Sequence, residues 1–221
     1  MQRREEKNKT VCPIIKQIKV NVVKIESDHI LESIFESLDK LEYIKSAEIP
    51  DIDLYMDQVL TFMNGKLEWS KRYEDDKIMT KTMINNYAKN HLLPPPDKKK
   101  YSKEHLLVLI FIYYFKNILS IGDIQSILNP LTERYFDNGK DLDLEKVYEE
   151  VFTLEKGQIE QMKESLAKDY ERAGKTFVNE AKEDKDFLQL FSFICMLSYD
   201  IYMRKQIIEK IIDTMAKTPV K

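Results

Sequence analysis

Glycine is scarce in this chain of 221 residues, with only five in all. None sits in a glycine-rich turn of the kind that cradles a phosphate or a dinucleotide, and five are too few for the tight turns of an all-β sandwich. Cysteine is scarcer: Cys12 and Cys195 lie far apart without CxxC spacing, which excludes a redox pair or a zinc knuckle and leaves free thiols. His29, His91 and His105 fall on separate expected elements with no HxH or HExxH spacing, so neither a metal nor another cofactor is expected. Long apolar runs are missing too. Leu106 to Phe115 is short, and Phe187 to Met203 is broken by Gln189 and Asp200, so both fall below the roughly 20 residues a membrane span needs. The charged start MQRREEKNKT leads into a stretch interrupted by Lys16, Lys19 and Asn21 rather than an apolar signal core. A cytoplasmic protein without a membrane partner is expected.

What the chain does contain is 43% hydrophobic and 33% charged residues, a globular balance that with so little glycine favours an all-α, mainly helical fold. Three regions are expected: an N-terminal arm and helix over 1–48, a central domain over 49–130, and a C-terminal helical region over 131–221. Val11 to Ile25 is rich in β-branched residues and reads as a strand or an irregular arm. From Ser27, the spacing of Leu31, Ile34, Phe35, Leu38 and Leu41 predicts an amphipathic helix. A second helix follows the acidic turn Asp51 to Asp53 and ends near Gly65, and Glu68 to Lys77 reads as a loop. Thr80 is the expected cap of a short helix that turns Ile84, Tyr87 and Ala88 inward and Lys81, Thr82, Asn85, Asn86 and Lys89 outward. Pro94 to Pro96 hold the chain extended as far as Lys98, Lys99 and Lys100. Ser102 then caps a helix apolar around nearly its whole circumference, and a short helix is predicted over Asp123 to Leu128.

Beyond Pro130, Asp143 is the expected cap of a helix carrying Val147, Val151 and Leu154. Ile159, Met162, Leu166, Tyr170, Ala173 and Phe177 then recur every three or four residues. The last helix repeats Leu190, Ile194, Leu197, Ile201, Arg204, Ile208, Ile211 and Met215 in alternating steps of three and four, a heptad seam suited to a partner helix. Those seven apolar positions are the expected dimerisation residues of a homodimer. The Phe187 to Tyr202 aromatics could alternatively receive a small-molecule effector.

No catalytic constellation is found, and an enzyme is not expected. Asp51 with Asp53 and Asp141 with Asp143 sit beside helix starts, where carboxylates answer the helix dipole. Asp137 to Glu145 is not a calcium loop, because its glycine stands at the third place rather than the sixth. The net charge of -3 divides into -4 over 1–76, +6 over 77–116 and -5 over 117–221. The central block carries Lys77, Lys81, Lys89, Lys98, Lys99, Lys100, Lys103 and Lys116 against Asp97 and Glu104. Lysines exchange places with the counterions condensed on phosphates, and a helical asparagine can pair with adenine in a major groove. Double-stranded DNA is therefore the expected partner, through Lys81, Thr82, Asn85, Asn86, Lys89, Lys98, Lys99, Lys100, Tyr101 and Lys103. The alternative is a protein-interaction adaptor that does not read DNA.

The strings IPDIDLYMDQVLTFMNG and TKTMINNYAKNHLLPPPDKKKYSKEHLLVLIFIYYFK resemble a bacterial family of unknown function, DUF1836, over about Ile49 to Leu128. That family is in turn similar to the MerR-type winged helix-turn-helix regulators, whose pattern lies over Ile84, Tyr87, Lys89, Leu92, Leu93 and Pro94, then Lys99 and Tyr101, then Leu109 and Ile112. The resemblance implies a MerR-like transcription regulator: Leu54 to Asn64 as first helix, Thr80 to Asn90 as recognition helix, Pro94 to Tyr101 as wing, and dimerisation through a C-terminal helix. Three positions depart from the MerR pattern. Asn85 replaces an arginine, Asn86 the first of two tyrosines and His91 a glycine.

Overall fold

A computed structural model describes residues 27–40 and 43–217. The expected N-terminal arm, Cys12 and Leu41 lie outside the described residues. The architecture is helical, in the order α1 (Ser27–Asp39), β1 (Leu54–Tyr55), α2 (Met56–Lys66), α3 (Lys81–Lys89), β2 (Lys100–Tyr101), α4 (Lys103–Phe115), α5 (Ile121–Tyr135), α6 (Leu144–Thr153), α7 (Gln158–Gly174) and α8 (Lys182–Lys217). The two short strands pair antiparallel, Leu54 with Tyr101 and Tyr55 with Lys100. This pairing moves the start of the second helix: Leu54 and Tyr55 are extended, and the acidic turn precedes a strand rather than the helix.

The fold is organised about α4. Every residue from His105 to Tyr113 is buried, so α4 must be covered on all sides. α2 contributes Val59 and Met63, α3 Ile84, α5 Ile124 and Leu128, and α6 Leu144, Tyr148 and Phe152, all joined in one hydrophobic cluster. At roughly 2 kcal/mol for each fully buried large aliphatic or aromatic side chain, this cluster dominates the forces holding the elements together.

Two expectations about helices change. α5 does not stop at Leu128 but continues through Pro130 to Tyr135. Proline withholds a single N–H, from the Ser126 carbonyl, and the packing of Leu128, Leu131 and Tyr135 on the core outweighs that loss. The expected boundary at 130 thus falls inside a helix. In α6, Asp143 is the cap, its Oδ1 accepting from the Lys146 N–H at 2.9 Å. The buried face, however, is Leu144, Tyr148 and Phe152; Val151 and Leu154 are exposed. Aromatic bulk decides this. Tyr148 packs edgewise on Phe111 of α4 and Phe152 stacks on it, which turns their face of α6 to the core.

α7 and α8 form an antiparallel hairpin. Gln189 Nε2 donates to the carbonyls of Gly174 and Thr176, at 2.7 and 2.8 Å, and Tyr170 meets Phe193 edge-on at 5.2 Å. α7 also carries α1, with Lys163 bound to Asp39. Met162 and Phe177, both placed in the expected α7 stripe, are exposed, and α7 ends at Gly174 before Phe177. Farther along, α8 leaves α7 and lies on α5, where Ile212 is buried. Residues 18 apart stand five full helical turns apart and share one line of the helix surface. Phe193 and Ile211 therefore share a line that α7 covers only at its start. Ile194 and Ile212 share another, about 100° around, which α5 covers only at its end.

Candidate nucleic-acid interface

α3 is set by local chemistry. Thr80 Oγ1 accepts from the Met83 N–H at 3.2 Å, and Ile84 is sealed in the core. Lys81, Thr82, Asn85, Asn86 and Lys89 are all exposed, while Tyr87 and Ala88 are half-buried. Residues 67–80 make a long connection between α2 and α3, far beyond the three or four residues of a compact helix-turn-helix. Asn64 closes that connection at its base: its side-chain amide donates to the Met79 carbonyl at 3.1 Å and its carbonyl oxygen accepts from the Met79 N–H at 3.2 Å. Lys116 adds a second clamp through Nζ to the Ile78 carbonyl at 2.9 Å, with its ammonium 4.7 Å over the Tyr113 ring.

After α3 the chain reverses at His91, whose φ is +54°, and buries Leu92 and Leu93. The three prolines lead to a two-residue turn, in which the Lys100 N–H donates to the Asp97 carbonyl at 2.7 Å. Both central residues, Lys98 and Lys99, have positive φ, +47° and +66°. That is the pattern of a type I′ hairpin turn, whose central pair is normally Asn-Gly or Gly-Gly. Here two lysines occupy it, both exposed.

His105 locks the prolines to α4. Its Nδ1 accepts from the Ser102 N–H at 3.0 Å, which leaves Nε2 to carry the proton and face the Pro95 carbonyl at 3.4 Å. Tyr101 and Phe136 meet the ring edge-on, at 5.5 and 4.8 Å. Burial lowers the pKa of His105 below its ordinary 6.5, against smaller opposing effects from the Pro95 carbonyl and Asp53. Glu104, next to it, accepts from the Asp137 N–H at 2.7 Å, and burial raises its carboxyl above the usual range.

The expected interface is therefore divided. Lys81, Thr82, Asn85, Asn86 and Lys89 stand on the open side of α3, and Lys98 and Lys99 at the tip of the turn. Lys100 is half-buried, its ammonium 5.4 Å over the Tyr55 ring. Tyr101 is not on the surface: only 5% of it is exposed, because its partner in the two-stranded ladder is the buried Leu54. Lys103 is turned toward α6 and donates to Glu145 at 2.6 Å. Lys116 is likewise used internally. Sequence reasoning missed His105, Asn64 and Lys116 as positioning groups; a histidine three residues after a serine cap was the one signal available.

The chain also closes on itself across the long segment that holds all these groups. The Tyr148 hydroxyl donates to the Ile44 carbonyl, and the Ser46 hydroxyl to Glu149. Residues 44–151 match the family model described as a domain of unknown function, DUF1836. The match runs beyond the 49–128 stretch of resemblance at both ends, to the two points that those hydrogen bonds tie together. No curated protein and no solved structure matches the chain. Among the described residues there is no group of acidic, histidine or cysteine side chains able to hold a metal ion, and no helix long and apolar enough to cross a membrane.

Proposed function

We propose that the DUF1836 segment binds duplex DNA in the manner of the MerR-type winged helix-turn-helix regulators, with α3 in a major groove and the Lys98–Lys99 turn on the flanking phosphates. One observation carries the reading. Two adjacent lysines occupy left-handed backbone positions that asparagine or glycine would fill at lower cost, on the order of 1 kcal/mol each. Backbone strain of this kind is retained where side chains are needed, and a pair of cations at the tip of a hairpin has an evident use against a polyanion. His91 adds support: it holds a left-handed conformation at the position where the MerR pattern has glycine. The short β1–β2 ladder supports the wing, and the exposed Asn85 and Asn86 offer amides to base edges. Phosphate anchoring then falls to Lys77, Lys81, Lys89, Lys98 and Lys99, since Lys103 and Lys116 are engaged within the fold.

A homodimer belongs to this proposal. Ile194 and Ile201, on one line of α8, are each more than half exposed. Leu190, Leu197 and Ile208 of the same seam are half-buried within the chain. The adaptor reading draws on the same exposed stripe, with a different protein in the place of the second copy.

The test is the pair Lys98→Asn and Lys99→Gly. It should relieve the turn and raise the unfolding temperature, while weakening binding to all duplexes and lowering the salt slope by roughly 2. Asn85→Ala should instead blur sequence preference with the slope unchanged. A variant that is both more stable and as tight on DNA as the parent sinks the proposal, as does a parent chain with no salt-sensitive affinity for genomic fragments.

A further inference from the structure

Between α5 and α8 lies an open cleft of about 790 Å³. Its floor is apolar, from Pro130 on α5 and Ile211 and Met215 on α8, and the two isoleucine and methionine side chains are more than half exposed there. Its rim carries Arg134 and Lys210, and none of its lining residues is acidic. Acids outnumber bases in this chain, and the two nearest cations on α8 are neutralised locally: Arg204 pairs with Asp200 at 2.9 Å and Lys205 with Glu209 at 3.6 Å. Arg134 and Lys210 have no carboxylate partner among the described residues. An arginine in the last turn of a helix answers the helix dipole, which accounts for Arg134. It does not account for Lys210, two turns short of the end of α8, facing the same apolar trough.

We infer that this cleft binds a long-chain monocarboxylate, with the carboxylate between Arg134 and Lys210 and the hydrocarbon chain along Pro130, Ile211 and Met215. A guanidinium and an ammonium lining one open cleft match a single anionic head group, and its volume of about 790 Å³ exceeds that of a chain of about a dozen carbons. A fully polar anion would leave the exposed apolar floor wet. An uncharged lipid would leave both cations unanswered.

The cleft is also wired to α3. Gln125, on its α5 wall, donates its side-chain amide to the carbonyl of Asn90, the residue that caps the C-terminal end of α3. A second hollow alongside it is lined by Ala88, His91 and Pro94 together with Asn129, which lines the first cleft as well. Occupancy of the cleft therefore bears on the end of α3 and on the reversal at His91 through one helix wall. Only the consequence for DNA rests on the reading proposed above.

The experiment uses the full chain and dodecanoate below its micelle concentration. Calorimetry should give saturable binding of one molecule per chain, with dodecanol and dodecyltrimethylammonium weaker by about tenfold or more. Arg134→Gln with Lys210→Gln should weaken dodecanoate by a similar factor, and Met215→Trp should block it by filling the trough; all three positions are on the surface, so the fold is kept. Equal affinity for dodecanol, or an unchanged double variant, overturns the site. Hydrogen exchange of residues 88–93 should change by about threefold or more when dodecanoate binds, and Gln125→Ala should still bind it without that change. Binding without any change at 88–93 overturns the coupling. If exchange responds but no DNA is bound with or without dodecanoate, the cleft and its wiring stand and the DNA reading is the part that fails.

Discussion

α4 and α8 are both rich in large apolar residues, yet their surroundings are opposite. α4 buries nine consecutive residues, from His105 to Tyr113. α8 has 36 residues, and among those described only Phe193 and Ile212 are buried while ten large apolar side chains are exposed. In α4 the apolar residues run unbroken around the helix, so each neighbour finds a surface, and α2, α3, α5 and α6 join it in one cluster. In α8 only Phe193 and Ile212 are buried among the described residues, and the exposed apolar side chains spread over the rest of its surface. The contrast separates two uses of the same residue types. A helix apolar all round specifies a core, and one with apolar surface left open specifies a place for something else to lie.

The largest effect is expected at α4. Leu109→Ala removes a fully buried side chain and should cost about 3 kcal/mol in urea unfolding, whereas Ile201→Ala on α8 should change single-chain stability by less than about 0.5 kcal/mol. Comparable losses at the two sites would mean that the exposed stripe is covered within the chain. A sharper cut is Ile194→Asp with Ile201→Asp. Charges placed on an open line should leave the far-ultraviolet spectrum unchanged and weaken self-association by about tenfold or more in sedimentation equilibrium. Dimers that persist at the parent's concentration range would remove α8 from the interface.

The smallest effect is expected at His105, where α4 meets the proline segment. Its folded form is held neutral, so the unfolded chain takes up a proton first as pH falls below the ordinary value of 6.5. Stability contributed by the neutral ring is complete above that pH and is lost on descending from it toward the lower folded value. Thermal unfolding at a series of pH values should show a decline below 6.5 that His105→Gln flattens; a decline of equal steepness in the variant would assign it to other groups.

Much of this architecture was legible in the residues. Thr80 and Asp143 act as caps, and the five polar residues of α3 face outward. The burial of α4 follows from its composition alone. Other features depended on partners that a single helix cannot announce. Pro130 reads as a stop because the local cost of proline is visible, while the core contacts of Leu131 and Tyr135 that outweigh it are not. Val151 looks as suitable for the core as Phe152 until Phe111 selects the larger ring. Within the basic block, charge made eight lysines equivalent. Three-dimensional neighbours distinguish them: Glu145 takes Lys103, the Ile78 carbonyl takes Lys116, and a ring supports Lys100. The seam of α8 was visible as a period, but not its division between neighbours inside and outside the chain.

One property of α8 follows from its length. At about 1.5 Å per residue it runs roughly 54 Å, in contact with α7 near one end and α5 near the other. A rod held at two such distant supports acts as a lever: a small tilt imposed by whatever lies along its open N-terminal half is delivered, magnified by the arm, to the α5 side. The helix that offers a surface to a partner is then also the part best placed to report that the partner has arrived.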